Sequence, residues 1–551
     1  MPEGFKVPKP YNEPVKDYVP LSQGRELQKK ALADAWNNPR EIPMHINGKE
    51  RMTKELVPVK MPHLHRRTLA WRAKSDKFDV EDAIKAALWS KQYTMPDFKF
   101  EDRVNIVLTA ADLLTSDKYR YKMNAATMLG QSMTIRESEI DAVCELADFW
   151  RYNTKFAEQI YNEQPLSTKG MMNSTDHRPL EGFVWALTPF NFTSIGGNLP
   201  VAPLITGNTV VWKPSYQQVA SAELTMEILN KAGLPPGAIN LIYPSGPDAA
   251  GVILNHPDFA GLHFTGSTEV FNGIWETVGR NVKKGVYKNY PRLVGEVGGK
   301  DFIVVHESVK EMDDYAQVVA TAVVRGSFER QGQKCSASSR IYLPKTLRKP
   351  LEEAILGFTS QIKTGSPWDF ANFMCAVIDE AAYDRITGYI NRANLSNDAK
   401  ILWEGGRHSK EEGYYVYPTI IEALHPYYES MEQEIFGPAP TIYYYPEKMA
   451  WEEVLKLVDS TSPYGLTGSV FYTDRLAWIK ALDILENAAG NLYGRNKPTG
   501  AMVRFQPFGG ARRSGTCDKA GGPDNLRRWV LARTISETTD PPTSPWYPHM
   551  G

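Results

Sequence analysis

A single cysteine, Cys335, stands among small and polar residues in "GQKCSA" (332–337). Taken alone, such a thiol is a buried structural group, a metal ligand or a nucleophile. Other polar side chains that could act with it interrupt apolar stretches elsewhere in the chain. They are Asn191 in "LTPFNFT" (187–193), Lys213 in "VVWKPS" (210–215) and Glu296 in "GEVGGKD" (295–301), followed by "EIFGPA" (434–439) and "PFGGARRSGT" (507–516). The cysteine by itself does not decide among the three roles.

Short apolar runs predict the strands that would position these side chains. They are "FVWAL" (183–187), "TVVW" (209–212), "INLIY" (239–243), "GLHF" (261–264) and "RLVGEV" (292–297), all containing β-branched or aromatic residues. Between them, residues 218–237 carry apolar side chains at helical spacing, and the pattern stops at Gly233. Strand, helix and strand at this spacing predict a parallel α/β sheet.

A parallel sheet of this kind often binds a dinucleotide, but the expected GxGxxG pattern is absent. "GPDAAG" (246–251) is a weak substitute that is more typical of a plain helix start. In "FTGSTEVF" (264–271), Ser267 can cap a helix whose free N–H groups would meet a pyrophosphate. Helix capping alone explains Ser267 equally well.

Upstream, residues 138–159 predict an amphipathic helix. The side chains predicted to face a core are Ile140, Val143, Ala147 and Trp150. Cys144 lies on the same stripe, which predicts a packed thiol rather than a reactive one.

The composition is that of a soluble globular protein of two or three domains. Its 63 Lys and Arg balance 64 Asp and Glu, so no bulk charge attracts nucleic acid or a membrane surface, and a small molecule is the expected partner. Residues 182–212 carry no charge, but prolines, asparagines and Gly196–Gly197 interrupt them, which argues against a membrane span.

The four cysteines (Cys144, Cys335, Cys375 and Cys517) form no CxxC pair, so neither a zinc site nor a disulfide framework is expected, and a reducing compartment fits best. The first residues have no apolar core of a secretion signal. They are also neither Arg-rich nor free of acidic residues, as a mitochondrial presequence would be.

The five motifs around Asn191, Lys213, Glu296, 434–439 and 507–516, in this order and with Cys335, resemble those of the aldehyde dehydrogenase superfamily. Within it, "EGFVWALTPFNFTSIGGNL", "FERQGQKCSASSRIYLP" and "QPFGGARRSGTCDKAGGP" are similar to the Δ1-pyrroline-5-carboxylate (glutamate γ-semialdehyde) dehydrogenase family. The resemblance runs from about residue 40 to about 547.

The resemblance implies roles for the thiol, the amide and the carboxylate. An aldehyde carbon releases hydride readily only after a nucleophile has added to it, and Cys335 would be that nucleophile. The Asn191 amide and the Cys335 backbone N–H would stabilise the negative oxygen. Glu296, with a pKa raised by a partly apolar site, would activate water to hydrolyse the thioester. The thiolate should need a polar, partly accessible niche.

The implied cofactor is NAD. In the family, the residue matching Lys213 bonds the adenosine ribose, that matching Glu434 bonds the nicotinamide ribose, and that matching Phe436 packs beside the ring. The other residues expected to bind the cofactor are Pro189, Ser215, Gly246 and Ser267. Two departures from the family pattern are Tyr216, where many members carry a ribose-binding carboxylate, and Phe271, where many carry glycine. The preference for NAD therefore rests on family habit.

The resemblance also implies a pocket for the α-carboxylate of glutamate γ-semialdehyde. Ser336 would supply a hydroxyl, and Gly500 and Ala501 would supply backbone N–H groups. Phe192 and Phe508 would flank the aliphatic chain of the substrate. No metal site is expected.

The expected fold is α/β and aldehyde dehydrogenase-like. It has a Rossmann-type NAD-binding domain (1–162 and 184–297), an α/β catalytic domain (298–525) and a β flap for oligomerisation (163–183 and 526–551). The flap predicts a homo-oligomer, with a dimer as the expected form. By resemblance the compartment is the mitochondrial matrix, with the cytoplasm as the alternative.

Three other functions stay open from the sequence. They are an aldehyde dehydrogenase for another class of substrate, a catalytically silent member of the fold, and a cysteine hydrolase that needs no cofactor. The last would require a histidine beside the thiol, and none lies within 20 residues of Cys335 in the sequence.

Overall fold

The computed structural model of the chain describes residues 5–551. Residues 1–4, which begin the predicted dinucleotide-binding domain, lie outside the described residues. The first part of the chain supplies mainly helices. Its elements are α1 (Gln23–Asn37), β1 (Arg40–Ile42), β2 (Met44–Ile46), β3 (Lys49–Arg51), β4 (Leu56–Met61), β5 (Leu64–Ala73), α2 (Lys77–Tyr93), α3 (Phe100–Thr115), α4 (Asp117–Gln131), α5 (Ile135–Ser138), a π-helical segment (Glu139–Glu145) and α6 (Leu146–Tyr161).

The predicted helix over 138–159 is present, but the π-helical segment interrupts its regular pitch. Val143, Ala147 and Trp150 are fully buried, as predicted. The prediction is wrong for Ile140, whose side chain is 41% exposed. A π turn holds more residues than an α turn, so extrapolating the α-helical stripe back to Ile140 places it on the wrong face. Cys144 is buried in contact with Arg120 and is a packed thiol, as predicted.

The middle of the chain builds the first sheet. Its elements are β6 (Met171–Pro179), β7 (Phe183–Leu187), α7 (Thr193–Ile205), β8 (Val210–Lys213), α8 (Val219–Lys231), β9 (Ile239–Leu241), α9 (Gly246–Ile253), β10 (Phe259–Thr265), α10 (Thr268–Lys283) and β11 (Arg292–Glu296). All five predicted strands are present as β7 to β11. β9 ends at Leu241, two residues before the end of the predicted run 239–243. The predicted helix over 218–237 is α8, which ends just before Gly233.

The first sheet has the strand order β11-β10-β7-β8-β9-β2-β3, and β7 to β11 are all parallel. From β7 the chain adds β8 and β9 on one side and then β10 and β11 on the other. The strand order therefore reverses between β7 and β10, and open α/β sheets bind ligands beyond the carboxyl ends of strands at such a point. Every residue of β8 is buried, which explains the continuous apolar run in the sequence.

The remaining chain contains the strands of a second sheet and further strands that pair outside it. Its elements are β12 (Asp301–Val305), α11 (Tyr315–Phe328), β13 (Ser338–Pro344), α12 (Arg348–Thr359), α13 (Glu380–Leu395), β14 (Ala399–Glu404), β15 (Thr419–Ala423), α14 (Glu429–Glu432), β16 (Thr441–Tyr445), α15 (Trp451–Ser460), β17 (Tyr464–Gly465), β18 (Thr467–Phe471), α16 (Arg475–Ile484), β19 (Asn491–Gly494), β20 (Ala511–Arg512), α17 (Pro523–Arg527) and β21 (Val530–Thr538). The strand order is β14-β15-β16-β13-β12-β18-β19, with only β14 antiparallel to its neighbour.

The last part of the chain returns from the second sheet to the first. Val503, Leu526 and Trp529 belong to the hydrophobic core that covers the first sheet. On the way, Thr516 and Ser514 bond the backbone at the end of β11, where Val297 N donates to Ser514 O at 2.9 Å. This return segment (503–529) therefore covers the end of the strand that carries Glu296.

The predicted flap is a two-stranded ribbon, in which β21 pairs antiparallel with β6 from Val530–Pro179 to Thr538–Met171. Residues 532–538 of β21 are all exposed. An isolated two-stranded ribbon is marginally stable in water, so its anchorage at Trp529 holds it to the body of the chain. Within residues 5–551, no helix is both long enough and apolar enough to cross a membrane.

Candidate active site

The parallel strands of the first sheet bring several of the predicted residues to one edge. Lys213 is the last residue of β8 and Glu296 the last residue of β11. Pro189 follows β7 and Ser267 follows β10. Because the carboxyl ends of parallel strands meet at the same edge, residues from sequence positions more than 100 apart line one crevice.

Cys335 enters this crevice from the second sheet, on the loop between α11 and β13. The loop after Glu296 contacts it closely, since a Cβ added to Gly299 would lie 2.3 Å from the Cys335 carbonyl oxygen. A Cβ added to Gly298 would lie 2.3 Å from Glu434 Oε2. Only glycines allow this approach, and it places the predicted base, the thiol and Glu434 around one short loop.

The Cys335 side chain is less accessible than the sequence predicts, because only 8% of the residue is exposed. Burial, followed by the negative charges of Glu296, Asp301 and Glu434, raises the pKa of the thiol well above its usual value. At neutral pH the group is therefore a thiol, and it must lose its proton when it reacts.

Glu296 has the environment that the predicted general base requires. Burial, opposed by Lys519 and reinforced by Asp301, raises the pKa of this carboxyl to about 8. Its Oε1 atom is buried and has no hydrogen-bond partner in the described part of the chain. A buried carboxyl with a free oxygen and a raised pKa is suited to accept a proton from water.

Asn191 lies on the loop between β7 and α7 and is 4% exposed. Its Nδ2 donates to the backbone oxygen of Gln333 at 3.1 Å, two residues before Cys335. The structure thus joins the predicted oxyanion-binding amide to the loop of the thiol. One amide N–H is used in this bond, which leaves the second for a ligand.

Lys213 is a buried cation, 8% exposed, and within residues 5–551 its Nζ donates only to the Pro214 carbonyl at 3.2 Å. Burial, with a contribution from Arg72, lowers the pKa of this ammonium to about 8. The ring of Tyr216 lies 4.8 Å from Lys213 Nζ and 4.0 Å from the Arg72 guanidinium, and its hydroxyl donates to Pro244 O. Tyr216 therefore packs against both cations instead of neutralising them. Ser215, beside it, links β8 to β7 through Thr188 O.

The other predicted cofactor residues are at or near the strand ends. Ser267 caps α10 by accepting from Val270 N at 3.3 Å, and Gly246 begins α9 on an open surface. Phe271 stacks on Phe264 at 5.3 Å, and a Cβ on Gly295 would meet its ring, so this departure from the family pattern fills space beside β11.

Glu434 and Phe436 approach the crevice from the second sheet. Glu434 Oε1 accepts from Gly299 N at 2.8 Å, and burial raises the pKa of this carboxyl to about 7. Phe436 has a left-handed φ of 56° and meets the edge of Phe190 at 5.9 Å. Glu434 is thus bonded to the glycine loop that separates it from Cys335.

The predicted substrate residues come together only in part. The Ser336 hydroxyl donates to Thr499 Oγ1 at 3.1 Å, which fixes the segment containing Gly500 and Ala501 beside the thiol loop. Gly500 has a φ of +91°, as an exposed turn glycine does. Phe192 follows Asn191 directly, whereas Phe508 lies on the return segment, where its N–H donates to Ala520 O at 2.8 Å.

Sequence reasoning missed a charged cluster beside Ser336. Glu329 accepts from Lys497 Nζ at 2.6 Å and from Lys334 Nζ at 3.2 Å. Burial opposes ionisation of Glu329, but the two ammonium groups outweigh it and lower its pKa to about 2. Two cations around one carboxylate leave a net positive charge there. Lys334 next to Cys335 and Lys497 in "KPTG" were the available signals.

Sequence reasoning also missed Lys519, on the return segment. Its Nζ donates to Gly490 O at 2.7 Å, Gly509 O at 2.8 Å and Asn491 Oδ1 at 3.2 Å. These bonds tie β19 to the segment that covers Glu296. Among residues 5–551, no group of three or more His, Cys, Asp or Glu side chains is arranged to hold a metal ion.

Comparisons with known proteins agree with this geometry. The profile described as "Aldehyde dehydrogenase family" matches residues 49–535. A Dictyostelium discoideum protein named mitochondrial delta-1-pyrroline-5-carboxylate dehydrogenase is 44% identical over 99% of this chain and 96% of its own length. A Schizosaccharomyces pombe protein named probable delta-1-pyrroline-5-carboxylate dehydrogenase is 44% identical over 99% of this chain and 98% of its own.

A solved structure shows the same likeness. The delta-pyrroline-5-carboxylate dehydrogenase from Mycobacterium tuberculosis, bound with NAD, is 44% identical and superposes with a TM-score of 0.94. The match covers 100% of both chains.

The buried thiol generates a prediction for its alkylation. Because the pKa of Cys335 is far above neutral, its reaction with iodoacetamide should quicken about tenfold per pH unit from pH 7 to pH 9 without levelling off. Removing a nearby negative charge by Glu296→Gln should make the reaction at pH 9 faster than in the wild type. Mass spectrometry of the tryptic peptide 335–340 measures the rate. A plateau at or below pH 8 would contradict the assigned environment.

Proposed function

This chain belongs to the aldehyde dehydrogenase family, and we propose that it oxidises L-glutamate γ-semialdehyde, the hydrolysed form of Δ1-pyrroline-5-carboxylate, to L-glutamate with NAD. This is the second step of proline catabolism. The observation that carries the proposal is that the Gly298–Gly299 loop after Glu296 and the amide of Asn191 both approach the loop of Cys335. The chain is also similar over its full length to enzymes named for this substrate.

Cys335 begins the reaction. Its Sγ loses its proton and bonds to the aldehyde carbon, and the carbonyl oxygen takes the negative charge. The free N–H of the Asn191 amide and the Cys335 backbone N–H donate to this oxygen. Donors already fixed in place are effective because they need no reorganisation as charge develops, and one such donor contributes about 3 kcal/mol to catalysis in other enzymes.

The sheet edge fits a dinucleotide. Lys213 is a buried ammonium, and no carboxylate in residues 5–551 lies within ion-pair distance of it. The start of α10 at Ser267 offers free N–H groups toward a pyrophosphate. Pro189, Ser215 and Gly246 lie at the neighbouring strand ends, while Glu434 and Phe436 lie toward the thiol. NAD, when bound there, accepts the hydride released from the substrate carbon.

Glu296 completes the cycle. The thioester left on Cys335 has to be hydrolysed, and Glu296 accepts a proton from the attacking water. Its free Oε1 and its pKa of about 8 suit this step. The C–S bond breaks, the carboxylic acid leaves, and the thiol is restored.

The far end of the substrate carries an α-carboxylate. Ser336, Gly500 and Ala501 are proposed to bind it, supported by the Ser336–Thr499 hydrogen bond that fixes their two segments together. The net positive charge of Lys334, Lys497 and Glu329 lies on the same side. Phe192 and Phe508 are proposed to flank the aliphatic chain.

The proposed domains divide these tasks. Residues 1–162 and 184–297 hold the dinucleotide, 298–525 carry the thiol, and 163–183 with 526–551 form the flap. The two separate sheets support the first division, and the exposed ribbon of β6 and β21 supports the last. A mitochondrial matrix location is proposed from the names of the Dictyostelium, mouse and human relatives, which include the word mitochondrial.

Two substitutions test the assignment of nucleophile and base. With Glu296→Gln, hydride transfer should occur once and the thioester should then persist, because the water-activating carboxylate is gone. Stopped-flow absorbance should show a burst of NADH of about one per active site, followed by turnover reduced at least a hundredfold. Cys335→Ala should abolish the burst while NAD still binds by calorimetry. Steady turnover near wild type in the glutamate variant would assign the base elsewhere.

The substrate end generates a second test. Glutamate γ-semialdehyde should exceed butanal in kcat/KM by well over tenfold, because butanal has no carboxylate to accept hydrogen bonds from these donors, and a hydrogen bond to a charged group contributes about 1.5–3 kcal/mol. Ser336→Ala should narrow this ratio by lowering kcat/KM for the semialdehyde while leaving butanal within a factor of about two. Equal values for both aldehydes in the wild type would leave only a general aldehyde dehydrogenase.

The flap predicts self-association. Ile535, on β21, is 42% exposed although it is apolar, and Met172 on β6 is 55% exposed. The wild-type protein should sediment as at least two chains of 62.0 kDa at micromolar concentration. Ile535→Asp should shift it toward one chain, whereas Leu395→Asp, at an equally apolar exposed site on α13, should not. A wild-type monomer would refute the proposed role of the flap.

A further inference from the structure

Two consecutive residues shortly before Cys335 adopt a strained backbone conformation. Arg330 has φ 61° and Gln331 has φ 55°, in the left-handed region that side chains other than Gly, Asn and Asp seldom occupy. Both are buried, at 2% and 1% exposure. Strain of this kind persists only where surrounding contacts enforce it, so the contacts of these two side chains show what the strain achieves.

Two of the three hydrogen bonds of the Arg330 side chain are to the backbone oxygen of Asn191. Its Nε and Nη2 donate to the Asn191 carbonyl oxygen at 2.9 and 2.6 Å. Its Nη1 donates to Gln131 O at 3.4 Å, and its backbone N–H donates to the Glu137 carboxylate. A planar guanidinium holding one carbonyl with two donors fixes both the position and the direction of that group.

Asn191 is held from two further directions. Its own Nδ2 donates to Gln333 O at 3.1 Å. The start of α7, two residues on, is held by Asp141, whose carboxylate accepts from Thr193 N at 2.8 Å and from Ser194 N at 2.9 Å. Arg330 and Gln333 both lie on the thiol loop, but only Arg330 bonds the Asn191 backbone, so it ties the main chain of Asn191 to the segment carrying Cys335.

The charge of Arg330 matches this place. Burial lowers the pKa of the guanidinium to about 10, which leaves it a cation at neutral pH. Burial also raises the pKa values of Glu137 and Asp141, and Arg330 opposes both increases. The cation therefore favours the ionised forms of Asp141, which holds the segment after Asn191, and of Glu137, which holds the Arg330 backbone N–H.

We propose that Arg330 is a positioning residue for the reaction, which orients the Asn191 amide toward the oxygen that becomes negative when Cys335 attacks a carbonyl carbon. The proposal rests on the function assigned above, in which Asn191 binds that oxygen. Arg330 acts through Asn191. Its removal should therefore weaken reactions that build an oxyanion and spare those that do not.

Gln331 provides a matched control. It has the same left-handed conformation and the same burial, and its side chain is equally well bonded. Its Nε2 donates to Ser132 O at 2.9 Å and Ala376 O at 3.0 Å, and its Oε1 accepts from Cys375 N at 3.0 Å. None of these bonds involves Asn191. Asparagine tolerates the left-handed conformation, so neither Arg330→Asn nor Gln331→Asn should disturb the backbone. Each substitution removes the side-chain hydrogen bonds of one buried residue, and the two residues have the same backbone conformation.

Two reactions of Cys335 that need no cofactor separate orientation of the oxyanion site from general damage. With p-nitrophenyl acetate, the sulfur bonds to the ester carbonyl carbon and an oxyanion forms. p-Nitrophenolate then departs, and the acetyl group stays on Cys335 as a thioester. With iodoacetamide, the sulfur displaces iodide and no oxyanion forms. The first-order rate constants of acylation and alkylation are compared between variants. If part of a variant is unfolded, the amplitude of the folded fraction's reaction falls, but its rate constant is unaltered.

Arg330→Asn should lower the rate constant of ester acylation at least tenfold, and that of first-turnover hydride transfer likewise, while alkylation stays within about threefold of wild type. Gln331→Asn should leave all three within about threefold. Arg330→Lys, which keeps one donor and the charge, should lie between wild type and Arg330→Asn, and it carries the test alone if the asparagine variant does not fold.

Equal acylation rate constants in the Arg330→Asn and Gln331→Asn variants would overturn the proposal, as would parallel losses of acylation and alkylation. If only Arg330→Lys folds, wild-type acylation in that variant would overturn it. A wild-type protein that forms no NADH with any aldehyde would instead refute the proposed function, and the ester and alkylation comparison would still decide whether Arg330 orients Asn191.

Discussion

The approach of the Gly298–Gly299 loop to Cys335 is the contact on which the rest of the site depends. A Cβ on Gly299 would fall 2.3 Å from the Cys335 carbonyl oxygen, and one on Gly298 would fall equally close to Glu434. The loop joins β11 of the first sheet to β12 of the second. Because Gly298 and Gly299 have no side chains, two sheets with separate cores meet closely enough to bring the proposed base of one near the proposed nucleophile of the other.

That closeness has an electrostatic consequence. Three carboxyl groups, Glu296, Asp301 and Glu434, surround the thiol, and burial raises the pKa of each to about 7 or 8. In water these groups would be ionised at neutral pH. Here they are balanced near neutrality, so small changes in local charge shift their protonation. The same dry surroundings keep the Cys335 thiol protonated until it reacts.

Much of the fold could be predicted from the sequence because the central strands are fully buried. Runs such as "FVWAL" and "TVVW" have no polar alternation, as buried parallel strands should, and β7 and β8 lie there. The sequence predicts the wrong face for Ile140 because a π-helical segment has no compositional signal of its own. The proposed catalytic residues stand in motifs whose order resembles that of a known family.

The supporting residues were harder to predict, for physical reasons. Arg330 and Gln331 adopt left-handed backbone conformations that arise from long-range hydrogen bonds and not from local preference, so their sequence reads as ordinary. Lys519 stabilises the return segment over Glu296 by donating to the carbonyl oxygens of Gly490 and Gly509. These residues come close to it only when the chain folds. Residue type shows which group can react, whereas its surroundings depend on contacts between distant segments.

The return segment (503–529) also governs when the site can exist. It contributes Val503 and Trp529 to the first core and holds the end of β11 through Ser514 and Thr516. These residues leave the ribosome long after Glu296 and Cys335, because they follow them by more than 160 positions in the chain. A growing chain therefore carries its thiol and carboxylate without the enclosure that raises their pKa values. The enzyme therefore acquires its chemistry only when the return segment has been made and has closed over the strand.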